Sequence, residues 1–495
     1  MIRTIYENIQ GEKEVRKHLI ELRKLLKETN NRMAFLYLLA GDYRLLYKLL
    51  EDEDAKVRKN VALIMGHLQV PDFMNKLFES YLKEEKLFIR SDYLAALREF
   101  DYTSLLEALK NQLEALTSRE IEESNQKHIN EEKKLLSELI LAKEKPSLHS
   151  FTGYDQMSDV ILLTNRDHKA VTLEQIHYGK AREFNAGIVA KTDDLRELLA
   201  IRTYSELLFR LPKVDKVSHD PMEAAQALYE GGLLDFIGSR HKGNDPFYFR
   251  IELKTKMPLD KKSSFAKKMA TKLEDITQRQ LINSTSHYEI EIRLVENKEG
   301  LFNVLLKLYT IKDERFSYRK GAVAASIAPV SGALVARLSK DYLKENAQVL
   351  DPFCGVGTML IERNKCVRAN PMYGIDSYGE AIEKATQNAA LDDTRINFIN
   401  RDFFDFKHDY LFDEIFTNMP TETGRKTVDE IKMLYRQFFD KALEVLKDEA
   451  VIVMYTRNKT FVEEALKTRS QYTLLKEYTF SKKEDAYVYI LKVTQ

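Results

Sequence analysis

From Gly11 to about Leu116, Leu, Ala, Val and Tyr recur at three- and four-residue spacing among Lys and Glu, with Pro71 as the stretch's single proline. That period predicts amphipathic helices, because positions three and four apart share one helical face. Beyond about residue 146 the period shortens. SDVILLTN (158–165), FYFRIELKT (247–255), HYEIEIRLVE (287–296) and LFNVLLKLYTI (301–311) read as strands rich in β-branched and aromatic residues. DLRELLAIRTYSELLFRL (194–211) and SFAKKMATKLEDITQRQL (264–281) read as helices between them. From Val349 onward, strand and helix alternate: QVLDPF, MYGID, INFINRDF, FDEIFTN, EAVIVMYTR, YTLLKEYTF and AYVYILKVT are the strands. Regular βα alternation predicts a mostly parallel sheet covered on both faces, and the closeness of the last two strands predicts an antiparallel hairpin at its edge.

These patterns divide the chain into three regions: all-α over 1–145, α+β over 146–320 with two small lobes, and a Rossmann-like α/β domain over 321–495. At 495 residues the chain exceeds what one hydrophobic core supports. Within the helical region, Arg58, Ala62, Met65 and Leu68 align with Arg90, Leu94, Leu97 and Phe100 at a constant offset. The D-x-x-V-R-x-x-x-A pattern at 54–62 resembles HEAT repeats, in which stacked helical pairs build a continuous core and a broad surface for a protein partner. A small helical bundle is the competing reading. The charged run SREIEESNQKHINEEKK suits a solvated helix or connector, with a boundary near Lys145 and Pro146.

Composition narrows the class. Hydrophobic residues at 44% and charged residues at 31% suit a folded chain. Lys plus Arg (77) equals Asp plus Glu (77), so any basic footprint for nucleic acid must be local. Two cysteines, Cys354 and Cys366, make neither a disulfide framework nor a zinc cluster, which suits the cytoplasm and no metal. The opening MIRTIYENIQGEKEVRKH lacks the apolar run of a signal peptide, and no apolar stretch is long enough to span a membrane.

The candidate chemistry lies at strand ends. The first strand of the C-terminal region runs into Asp351, Pro352, Phe353, Cys354, Gly355, Val356, Gly357 and Thr358, followed at once by a helix. Gly355 and Gly357 let the backbone turn sharply beneath a ligand. Position 360 is Leu where a pyrophosphate-binding G-x-G-x-x-G would carry Gly, which argues against a dehydrogenase. The second strand ends in Asp376, placed to accept from ribose hydroxyls, and the third runs into Asp402 and Phe403, suited to an adenine amino group and ring. The fourth leads into Asn418, Met419, Pro420, Thr421 and on to Lys426; an Asn oxygen there can hold an exocyclic amino group.

VLDPFCGVGTMLIE, YGIDSYGEAIEKATQNA, RDFFDF and TNMP followed by LYRQFF, with RFSYRKG and SIAPVSGALVARL upstream, resemble the THUMP-containing class I RNA methyltransferases that modify the N2 amino group of guanine. The resemblance is specific over roughly 315–460 and weaker over 146–314, where it implies ferredoxin-like and THUMP-like lobes; the HEAT-like region lies outside it. It implies S-adenosyl-L-methionine as cofactor, held by Asp351, Phe353, Gly355, Gly357, Thr358, Asp376, Asp402, Phe403 and Asn418. It also implies Asn418 and Pro420 as the catalytic pair, with tRNA favoured over rRNA as substrate. One departure stands out. The family's tetrapeptide is Asn or Asp, Pro, Pro, then an aromatic residue that packs on the target base, whereas Met419 and Thr421 occupy the second and fourth positions here. Methylation of DNA or protein amino groups, and a non-catalytic RNA-binding scaffold, remain the competing readings.

Residues 250–280 hold nine Lys or Arg against four Asp or Glu. Lys261, Lys262, Lys267, Lys268 and Lys272 are candidate phosphate contacts, with a solvated helix face as the alternative; Arg319 further on is a candidate RNA contact or simply braces the linker.

Overall fold

The computed structural model describes residues 1–117, 125–143, 148–243, 246–324, 326–422 and 427–495. The boundary expected near Lys145 and Pro146 lies outside them, as do residues 118–124 of the charged run and Thr423–Lys426 of the acceptor loop. No helix among the described residues is long and apolar enough to cross a membrane.

The described residues up to Lys143 are mainly helical and share one core. The two stretches aligned by sequence form helices Ala55–Leu68 and Leu87–Leu97. They pack closely enough that a Cβ on Gly66 would lie 2.9 Å from the Cα of Ala96. The aligned arginines play matching parts. Arg58 donates to both carboxylate oxygens of Glu84 at 2.8 and 2.7 Å, and Arg90 donates to Glu132 at 2.8 Å. Each thus binds a buried acid supplied by later chain, which links one helical unit to the next and avoids the cost of burying a carboxylate unpaired. The second half of the charged run is therefore no free connector. Gln126–Lys143 is a helix that buries Glu132 and Lys133, because Glu132 also accepts from the Tyr81 hydroxyl at 2.7 Å.

Beside a two-stranded pairing of Ser150–Phe151 with His241–Lys242, the central region forms, among the described residues, a nine-stranded sheet. The two lobes expected from sequence share it, joined where Phe209 pairs with Leu306 and backed by a common core. One helix expected from sequence splits. Of residues 194–211 only Leu195–Ala200 is helical, capped by the Asp194 carboxylate, while Tyr204–Phe209 is a strand. Its backbone finds an antiparallel ladder with Ser158–Thr164, and Tyr204, Leu208 and Phe209 are buried there. Pairing and burial outweigh the helical period. The Lys-rich helix runs from Leu259 to Ile276 and seals Phe265, Met269 and Leu273 against the core.

The C-terminal sheet contains β1 (Ala347–Asp351), β2 (Ala369–Asp376), β3 (Asn397–Asn400), β4 (Phe412–Asn418), β5 (Leu446–Thr456), β6 (Tyr472–Ser481) and β7 (Ala486–Val493). Its helices are α1 (Pro329–Ser339), α2 (Thr358–Cys366), α3 (Gly379–Leu391), α4 (Val428–Val445) and α5 (Lys459–Thr468). The strand order is β3-β2-β1-β4-β5-β7-β6, with β7 antiparallel to both neighbours. The edge hairpin expected from sequence is present. Because the chain leaves β1 in one direction and returns to β4 on its other side, a crevice opens at the carboxyl ends of these two strands, where α/β sheets bind ligands.

Central and C-terminal domains are locked together. Arg202 donates to Glu362 of α2 at 2.9 and 2.7 Å, and the Tyr318 hydroxyl donates to the same fully buried carboxylate at 2.6 Å. A second clasp ties Asn165 and His168 to the backbone oxygens of Phe480 and Thr479, each at 2.8 Å.

Candidate cofactor and acceptor cleft

A cleft of about 660 Å³ opens at the carboxyl ends of β1, β2, β4 and β5 and the turn after β3. Phe353, Gly355, Thr358, Asp376, Asp402, Phe403, Asn418 and Pro420 all line it. Sequence reasoning therefore brought together residues spread over some 65 positions of chain. Asp351 and Gly357 are the exceptions, set behind the wall rather than in it.

Asp351 is fully buried at the end of β1. Its Oδ1 accepts from the Thr417 hydroxyl at 2.6 Å and from the Phe353 amide at 3.1 Å, while Oδ2 has no partner. Burial, with the Asp376 charge adding to it, pushes its carboxyl up to about 7. It fixes the loop after β1 to the neighbouring strand β4. Gly357 has φ +82°, and a Cβ there would lie 3.0 Å from the Phe398 ring. Only glycine makes that turn without strain and collision.

The turn aims backbone and acids at the cleft. Gly355 has φ +52°, and a Cβ on it would project into open space, so the backbone lies bare to a ligand. The Gly355 amide donates to Asp376 Oδ2 at 2.9 Å, and the Tyr378 amide donates to Oδ1 at 2.9 Å. Each oxygen keeps a lone pair for a hydroxyl, as a ribose diol requires. Asp402 is exposed and caps the following turn through the Phe404 amide at 3.0 Å. Phe403 is buried edge-on against Phe353, 5.9 Å between ring centres. An acid for an amino group, a paired acid for a diol and apolar rings between them fit the adenosyl portion of S-adenosylmethionine. The Cys354 thiol beside them is pushed far up by burial and is no nucleophile.

Asn418 ends β4, held in register with Tyr455 of β5, and the Met419 amide donates to the Tyr455 oxygen at 2.9 Å. Its own side chain makes no hydrogen bond among the described residues and faces the cleft. Met419 turns the other way into the core. The second position of the tetrapeptide thus serves packing, and Thr421 at the fourth position stands in the cleft wall without an aromatic ring.

Several contributors escaped the sequence reading. Asn388 of α3, fully buried, donates to the Val356 and Gly321 oxygens at 3.1 Å each and accepts from the Lys320 and Gly321 amides, clamping the β1 loop to the segment before α1. Tyr378, Tyr455, Arg457 and Glu484 also line the cleft. Asn388 lies at the end of YGIDSYGEAIEKATQNA, but nothing in its spacing marks it as a clamp, and the last three lie beyond any glycine-marked turn. Arg319 is corrected. Its Nε donates to the Thr358 hydroxyl at 3.0 Å and a terminal nitrogen to the Gly321 oxygen, so it braces the cleft from inside instead of offering a free charge to RNA. Lys261, Lys267 and Lys268 are exposed on the helix Leu259–Ile276, while Lys262 and Lys272 are half-buried.

Comparison with known proteins agrees with this geometry. Residues 318–482 match a family model described as an RMKL-like methyltransferase domain. A tRNA (guanine(10)-N2)-dimethyltransferase of Methanothermobacter thermautotrophicus is 28% identical over 138 residues, 27% of this chain. The match spans 40% of that relative's length. Among solved structures, TrmN from Thermus thermophilus has a TM-score of 0.51 at 18% identity, covering 68% of this chain and 99% of its own. A predicted N6-adenine-specific DNA methylase from Listeria monocytogenes has a TM-score of 0.50 at 14% identity, covering 68% of this chain and 96% of its own. Both likenesses take in the whole of the relative and about two thirds of this chain, and they speak for the fold.

Proposed function

We propose that this chain, whose residues 318–482 match an RMKL-like methyltransferase domain, transfers a methyl group from S-adenosylmethionine to the exocyclic N2 amine of a guanine in RNA, tRNA before rRNA. The observation that carries the reading is Asn418, an unengaged amide at the mouth of a strand whose neighbours form the adenosyl cradle. The name of the tRNA-modifying relative supports the choice of polymer and atom. The sulfonium cofactor supplies an activated methyl group and a good leaving group. What remains for the protein is positioning. The Asn418 oxygen would accept one amine hydrogen and so orient the nitrogen lone pair toward the methyl group that the cofactor would supply, and the amine would give its proton to water. Pro420 stiffens the turn on which Asn418 sits, since its ring fixes φ. The exposed lysines of helix Leu259–Ile276 would neutralise phosphates, and the helical domain at the N-terminus would take a protein partner on its stacked units.

The polymer is testable directly. Labelled methyl transfer should appear on tRNA, less on rRNA, and not on DNA; label on DNA alone would reverse the assignment. The missing aromatic at Thr421 favours one second reading, an RNA-binding scaffold that keeps the cofactor fold. Cofactor binding without transfer to any RNA would select it.

A further inference from the structure

The tetrapeptide loop offers the target base a threonine where a ring would stack, so recognition of that base must come from another wall of the cleft. Three further side chains line the cleft on the side of the sheet away from the cofactor. Tyr455 sits opposite Asn418 in the ladder, Arg457 follows two residues on, and Glu484 reaches in from the turn between β6 and β7. Arg457 Nη2 donates to Glu484 Oε2 at 3.0 Å. Tyr455 is buried edge-on against Phe480, 5.0 Å between ring centres, which fixes the strand end from which Arg457 follows. Both members of the ion pair are about half exposed, at 50% and 56% of side-chain area. At that exposure the pair adds little to stability, and its accessible donors and acceptor remain free for a ligand.

We propose that Arg457 and Glu484 read the Watson–Crick edge of the target base and select guanine over bases of the adenine pattern. This rests on the reading that the cleft methylates the guanine amine held by Asn418. With the N2 amine at Asn418, the edge continues through N1–H, a donor, to O6, an acceptor. The Glu484 carboxylate accepts from the first and the Arg457 guanidinium donates to the second. An adenine-type edge carries a bare nitrogen and an amino group at those places, which sets acceptor against acceptor and donor against donor. Once a bound base covers these groups, leaving them facing like groups rejects the ligand far more strongly than a missing methylene would.

The test keeps the acceptor amine and changes only the rest of the edge. After the modified nucleotide is located, RNA is synthesised with guanosine or with 2,6-diaminopurine riboside at that position. Both carry the 2-amino group. The protein should methylate guanosine about 10- to 100-fold faster in kcat/KM, a range set by one or two discriminating hydrogen bonds. In the double variant Arg457→Ala, Glu484→Ala the preference should collapse, chiefly through the guanosine substrate, while calorimetry shows S-adenosylmethionine binding retained. Equal rates in the unmodified protein, or a preference that survives in the double variant, would overturn the proposal. If the unmodified protein transfers nothing to guanine in any RNA, the parent reading itself falls and takes this one with it.

Discussion

The two halves of the cleft are built on different principles. On the cofactor side, at β1 to β3, the functional acids are tied to backbone amides: Asp376 to Gly355 and Tyr378, Asp402 to Phe404. On the acceptor side, at β4 and β5, the strands are held in register, and Asn418, Arg457 and Glu484 present side chains to the opening. A cofactor of fixed shape rewards a cradle formed before binding. A base swung out of a large RNA rewards groups that can meet it from several strands. Fixing one side and leaving the other adjustable lets the same fold keep a cofactor cradle while its acceptor loop departs from the tetrapeptide of the family its sequence resembles.

The sharpest way to separate the halves is Asn418→Ala. Loss of the amine acceptor should lower kcat for methyl transfer about 100-fold, the scale of a misplaced reacting group, with cofactor affinity unchanged. Single-turnover transfer and calorimetry give the two readings, and a loss of affinity equal to the loss of rate would erase the distinction. Gly357→Val attacks the other half. A β-branched residue at φ +82° costs about 1–2 kcal/mol in backbone strain before it meets the Phe398 ring, so S-adenosylmethionine affinity should fall about tenfold or more by calorimetry.

A weaker effect is expected outside the cleft. Reversing the exposed charges in Lys267→Glu, Lys268→Glu should raise the KM for RNA by about three- to tenfold at low salt and flatten the dependence of binding on salt. Circular dichroism should show the helix intact; an unchanged salt slope would leave these residues as a solvated face. Smallest in activity is Asp351→Asn, which should act on stability. The folded Asp351 carboxyl, raised to about 7, keeps its proton where the unfolded chain, at roughly 4, has released it. Its contribution to stability therefore falls as pH rises between those values and is flat above them. The melting temperature of the cofactor-free protein should drop between about pH 4 and 7, and Asp351→Asn should flatten that drop.

The same contrast explains what the sequence revealed. The cofactor half was legible because its constraints are local: a strand followed by two glycines within three residues, and acids placed directly at strand ends. The β1–β7 alternation was legible because period and length agree along each element. Residues 204–209 were not, because their helical period is overridden by a ladder to a strand some forty residues earlier. Glu132 and Lys133 looked like solvated charge, and only the arrival of Arg90 and Tyr81 from far up the chain buries the acid. Arg319 looked free for RNA for the same reason, its partners being a hydroxyl and a carbonyl that only the folded loop brings near. Arg457 and Glu484 stand 27 positions apart and meet solely through the edge hairpin, so nothing in their spacing marks them.

The most direct measurement is to incubate the protein with S-adenosylmethionine carrying an isotopically labelled methyl group and tRNA, digest the RNA to nucleosides, and identify the labelled product by mass spectrometry. The expected product is N2-methylguanosine or its dimethyl form, absent when Asn418→Ala replaces the protein. Label confined to another base or another atom, or no label despite measured cofactor binding, would contradict the assignment of this cleft to guanine N2 methylation.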